Sequence, residues 1–110
     1  MEDSDAIETL SALAHPGRLA VFRALVRAGE TGLAAGEIAR TIGALPNTTS
    51  TNLGILTHAG LVQARREGRS VIYAVRFVRM QALIGFLYED CCGGASQLCL
   101  PQSLCSIKAG

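Results

Sequence analysis

Four thiols close this chain of 110 residues: Cys91, Cys92, Cys99 and Cys105, spaced C-C-x6-C-x5-C. They lack the C-x2-C knuckles of a structural zinc site, and the only two histidines, His15 and His58, are far away in sequence. A vicinal pair with a third thiol a loop away suits a soft, three-coordinate, pyramidal ion, and soft thiolates select soft ions. Trivalent arsenic and antimony are such ions. Gly93 and Gly94 give the chain freedom to fold Cys99 back onto the pair. Two of the same thiols would also make a dithiol switch for oxidants or persulfides, and a thiol-rich tail could simply sequester metal.

A second chemistry lies in the middle of the chain. Asn47-Thr48-Thr49-Ser50-Thr51-Asn52 is a run of small polar side chains at the start of a helical pattern, a poor choice for helix stability. Small hydroxyl and amide groups at a helix N-terminus reach base edges and phosphates in a major groove. Capping accounts for Asn47 but not for the five polar residues after it. Arg65, Arg66 and Arg69 follow around Gly68 and are suited to phosphate or the minor groove. Residues 18–79 hold nine arginines against Glu30, Glu37 and Glu67, a balance of +6 hidden within a formal net charge of +1. No nucleophile–base pair, phosphate loop or paired catalytic carboxylate stands out, so no enzyme is expected.

These groups need elements to hold them. With 49% apolar and 17% charged residues, the chain packs, and its length allows one core. Ile7, Leu10, Leu13 and Ala14 recur at helical spacing before His15-Pro16-Gly17. Leu19, Phe22, Leu25 and Val26 mark a second helix that ends near Gly29. Helices over 34–43 and from Asn47 to about Ala59 form a helix-turn-helix. Strands over 61–65 and 69–75, turning at Glu67-Gly68, form a basic β-hairpin. A last helix over about 76–90 carries Phe77, Met80, Ile84 and Leu87 on one face and Leu83 and Phe86 on another. A small domain cannot cover both faces, so a second copy is expected to cover one, with Ile7, Leu10 and Leu13 joining that contact. Arg18 is expected to pair with a carboxylate of its own domain. His15 and His58 are expected to be structural, and Tyr73 to pack in the hairpin. The acidic start Met1-Glu2-Asp3-Ser4-Asp5 is no secretory signal, and no apolar run is long enough for a membrane span. A cytoplasmic chain with reduced thiols and no membrane partner is expected.

The order of elements predicts a mainly α fold with a β-hairpin: a homodimeric winged helix-turn-helix. Three segments carry a resemblance: Leu13-Ala14-His15-Pro16-Gly17-Arg18-Leu19, Ser50 through Val62, and Arg66-Glu67-Gly68-Arg69. Over residues 5 to about 99 the chain resembles the arsenical-resistance (ArsR/SmtB) family of metal-sensing repressors. The resemblance implies a homodimer that binds double-stranded palindromic operator DNA and releases it when inducer binds. It implies a DNA-binding and dimerisation domain over 1–90 and an inducer-binding tail over 91–110. Many members carry a cysteine pair in the first helix of the helix-turn-helix, but Leu33-Ala34-Ala35-Gly36-Glu37-Ile38 has none. Others bind zinc through Asp, His and Glu of the last helix, which here lacks histidine. Tyr88-Glu89-Asp90-Cys91-Cys92-Gly93-Gly94 with Leu98-Cys99 is similar to a subgroup with an As(III) site at the end of that helix. This implies Cys91, Cys92 and Cys99 as ligands for As(III) or Sb(III) as inducer, with no further cofactor. Cys105 stands outside that pattern, as a spare thiol, a substitute ligand or neither.

Overall fold

The computed structural model describes residues 1–89, so Cys91, Cys92, Cys99 and Cys105 lie outside the described residues, as does the proposed 91–110 tail. Five helices and three strands follow one another: α1 (Asp3–Leu13), α2 (Pro16–Ala28), a 3-10 turn (Gly29–Thr31), β1 (Leu33–Ala34), α3 (Ala35–Ile42), α4 (Pro46–His58), β2 (Val62–Glu67), β3 (Ser70–Val75) and α5 (Phe77–Leu87). The fold is the winged helix-turn-helix that the sequence predicts, with one strand more than expected.

Local chemistry sets the helix boundaries. His15 caps α2: its Nδ1 accepts from the Gly17 and Arg18 amides at 3.1 and 3.4 Å, and Pro16 occupies the first turn where no N–H is needed. Its structural role is as expected. Arg18 reaches back to α1, donating from Nε to the Ala12 carbonyl at 2.6 Å and from a terminal nitrogen to the Ser11 carbonyl at 3.4 Å. It thus closes the C-terminal end of α1 through backbone carbonyls, not through the expected carboxylate. Gly43, at φ 69, ends α3 in the left-handed conformation, and Gly43 to Leu45 form the three-residue turn into α4.

The sheet is antiparallel in the order β1-β3-β2. β2 and β3 pair Val62 with Val75 and Glu67 with Ser70, leaving Gly68-Arg69 as a two-residue loop with Gly68 at φ 63. β2 therefore runs two residues nearer the tip than the expected end at Arg65, β3 starts one residue after the expected Arg69, and the turn lies one residue later than Glu67-Gly68. The added strand, β1, pairs Leu33 with Tyr73 and Ala34 with Ile72. Two residues carry no readable alternation, which is why the sequence hides it. Gly32 lets β1 come in: at φ 71 it approaches β3 so closely that a Cβ would collide with the Tyr73 carbonyl oxygen.

The core gathers Val21, Phe22 and Leu25 of α2, Ile38 of α3, Leu53 and Leu56 of α4, and Leu61, Val62 and Val75 at the base of the hairpin. Tyr73 packs against it, as expected. Each fully buried Leu or Ile contributes about 1.5–3 kcal/mol. α1 turns small residues inward, Ala6, Thr9 and Ala12, while Ile7 and Leu10 remain 63% and 43% exposed. α5 ends at Leu87, about three residues earlier than expected. Only Leu83 of α5 is buried and Met80 packs on the core, so the expected Phe77–Met80–Ile84–Leu87 face is split. Phe77, Val78 and Leu87 are 39%, 73% and 57% exposed.

Candidate nucleic-acid interface

α4 is the second helix of the helix-turn-helix, and its start differs from the expected one. Pro46 takes the first helical position and holds Leu45 extended at φ −72, ψ 144, so Leu45, not Asn47, is the N-cap, without a side-chain hydrogen bond. Asn47 lies inside the first turn. The helical phase set by the buried Leu53 and Leu56 fixes which of the six polar residues face outward. Asn47, Thr48, Ser50 and Thr51 are exposed. Thr49 and Asn52 are not: they are 0% and 5% exposed and face the domain. The Asn52 amide nitrogen stands 2.9 Å from where a Cβ on Gly17 would be, so Asn52 packs on the start of α2. The Thr49 hydroxyl is buried without a partner. Burial takes both side chains away from the outer face where the sequence expectation set them, because a helix cannot present six consecutive residues to one side.

The outward stripe continues along α4 through Gly54, Ile55 and His58, all exposed. The expected interface omitted these residues. Counting in steps of three and four from Thr51 reaches them. The Thr51 hydroxyl donates to the Asn47 carbonyl at 3.1 Å, which fixes its rotamer on the helix.

The hairpin that follows this helix holds its arginines in different states. Arg65 is occupied by the protein itself. Its Nε pairs with Glu67, and its two terminal nitrogens donate to the Glu30 and Thr31 carbonyls at 3.2 and 2.7 Å. The guanidinium therefore staples the wing to the 3-10 turn. Arg66 and Arg69 are exposed, and among the described residues neither is engaged in a side-chain hydrogen bond. The arrangement is a polar helix face followed in the chain by a hairpin with two unengaged guanidinium groups at its tip, on a body with a balance of +6 over 18–79. Such a surface binds polyanions, with salt-dependent affinity.

No group of three His, Cys, Asp or Glu side chains able to hold a metal occurs among the described residues. No helix among them is long and apolar enough to cross a membrane.

Known proteins share this architecture. A helix-turn-helix domain family matches residues 13–63. The chain is 30% identical to the HTH-type transcriptional regulator YgaV of Escherichia coli over 87 residues, 79% of this chain and 86% of that protein. It is 31% identical to the biofilm growth-associated repressor of Xylella fastidiosa over 94 residues, 86% of this chain and 80% of that one. Among solved structures it is similar to the homodimeric winged helix-turn-helix DNA-binding domain of Mb0332 from Mycobacterium bovis, a possible ArsR-family transcriptional regulator. That likeness has a TM-score of 0.63 at 29% identity and covers 82% of this chain and 89% of that one.

Proposed function

The chain belongs to the ArsR family of helix-turn-helix transcriptional regulators, and from that membership we propose that it is a homodimeric repressor whose operator affinity falls when trivalent arsenic or antimony binds its C-terminal thiols. The observation that carries the DNA-binding part is the outward stripe Asn47, Thr48, Ser50 and Thr51, together with the exposed, unengaged Arg66 and Arg69 of the hairpin that follows it. In a dimer two such stripes enter successive major grooves, roughly 34 Å apart on one face of the duplex. The exposed Ile7 and Leu10 of α1 with Val78 and Leu87 of α5 provide the apolar surface for the second copy.

The inducer reading rests on Cys91, Cys92 and Cys99. Arsenious acid condenses with three thiols, forming three As–S bonds and releasing three waters, with no net proton release. Zinc must displace protons from the same thiols, so its binding is strongly pH-dependent. Closing the thiols on one ion pulls the tail against the end of α5, an element of the proposed dimer contact. Linkage of this kind amounts to about 1–3 kcal/mol, or roughly one to two orders of magnitude in operator affinity.

The experiment is an operator-binding titration with arsenite, hydrogen peroxide and zinc run side by side, on a duplex selected from random sequence by the full chain. Release by arsenite alone supports the proposal. Release by peroxide and not by arsenite replaces it with a dithiol switch of the same fold.

A further inference from the structure

α5 meets the end of α4 at a contact that the stripe and the wing do not use. Gly60 follows α4 at φ 82, and its open side is covered by Arg79 of α5, whose Nε, Cδ and Cζ lie 3.4–3.7 Å from where a Cβ would stand. Beside it, the Arg76 amide donates to the Leu61 carbonyl at 2.9 Å. The Arg79 Nε is buried and has no hydrogen-bond partner among the described residues. A guanidinium donor shut away from water without an acceptor costs stability. Packing alone does not require it, because an unbranched methionine side chain would fill the same space. What the guanidinium adds is positive charge near the C-terminal end of α4, where the last carbonyls carry partial negative charge. Within that last turn α4 has only His58 as a basic side chain. The rest of α5 meets its own domain through Leu83, its one buried residue, and Met80, which packs on the core.

We propose that Arg79 is a positioning residue for operator binding: it sets the angle between α4 and α5, and through it the separation of the two recognition helices in the dimer. This rests on the dimeric DNA-binding reading above. A local rule is broken at Arg79, and such breaks concentrate where function requires them. Operator half-site spacing is read by the distance between recognition helices. A residue that sets that distance therefore governs which spacings are tolerated.

The test uses the full chain and a duplex selected from random sequence by the wild type, with two derivatives whose centre is one base pair longer or shorter. Operator affinity, thermal midpoint and dimer mass are measured for the wild type, Arg79→Met and Arg79→Lys. The wild type is expected to prefer the selected spacing by roughly tenfold. Arg79→Met is expected to remain dimeric, with an unchanged or higher midpoint. It is expected to bind the selected duplex about tenfold more weakly and the three duplexes within about twofold of one another. Arg79→Lys, which keeps the charge but not the planar fork, is expected to fall between them. An Arg79→Met protein that is less stable, or that keeps the wild-type spacing preference, overturns the proposal. Failure of the wild type to select any duplex refutes the DNA-binding reading instead, which is a distinguishable result.

Discussion

Four arginines in a dimer, Arg66 and Arg69 from each copy, are the most direct residue-scale handle on the interface. Both are exposed and unengaged by their own domain, so their removal costs the fold little. Arg66→Ala with Arg69→Ala is expected to weaken binding to specific and random duplexes alike. The slope of log affinity against log salt should fall by about 0.9 for each phosphate that an arginine no longer neutralises, as much as about 3.6 if all four arginines neutralise one each. Fluorescence anisotropy over a salt series measures this, and unchanged slope and affinity would remove the wing from the interface. Arg65 behaves differently because its donors already hold the Glu30 and Thr31 carbonyls and Glu67. The sequence shows three equivalent arginines around one glycine. What separates Arg65 from the other two is the side its strand position faces and the nearby 3-10 turn, and neither is visible without the register. Thr49 and Asn52 carry the same lesson. Their chemistry was legible, but the phase set by the buried Leu53 and Leu56 turns both inward. At the thiols, single replacements Cys91→Ser, Cys92→Ser and Cys99→Ser are expected to leave DNA binding intact and abolish the arsenite response, while Cys105→Ser responds nearly normally. Loss of response in Cys105→Ser alone, with Cys99→Ser normal, would reassign the third ligand.

Among the elements, the helices and the hairpin were legible because their signals are local: His15-Pro16 at one boundary, Gly43 and Gly60 at two others, and β-branched residues in Ser70–Val75. β1 was not, since its two residues become a strand only by pairing with β3, which is distant in sequence. Gly32 is the residue that permits the pairing. Gly32→Ala is expected to destabilise the domain by roughly 2 kcal/mol or more, from a left-handed φ and a Cβ driven into the Tyr73 carbonyl. In a domain of this size that lowers the thermal midpoint by on the order of 10 °C. Scanning calorimetry measures it, and a midpoint within about 2 °C of wild type would contradict the close approach. α5 was legible as a helix but not in its packing. Apolar residues around its whole circumference gave no indication of which ones the domain itself covers, and Leu83 with Met80 proves to be the inward pair.

At the scale of the whole molecule, the proposed function assigns the exposed apolar residues of α1 and α5 to association and the basic wing-and-helix surface to DNA binding. Val78→Glu together with Ile7→Glu places charge at the most exposed apolar side chain of each of these two helices. The pair is expected to yield a folded monomer with operator affinity reduced by at least about a hundredfold, since one recognition helix loses the second half-site. Sedimentation equilibrium and anisotropy on the same sample check both, and a double variant that stays dimeric would place the contact elsewhere. The measurement that bears most directly on arsenic-controlled repression is a titration of arsenite into the preformed complex of the full chain with its selected operator duplex, following bound DNA and bound arsenic together. Release is expected to be complete at one arsenic per protomer, with fewer than two protons released per arsenic in calorimetry, and none of this in the Cys99→Ser protein. Unchanged operator affinity at arsenic saturation, or equal release from wild type and Cys99→Ser, would contradict it.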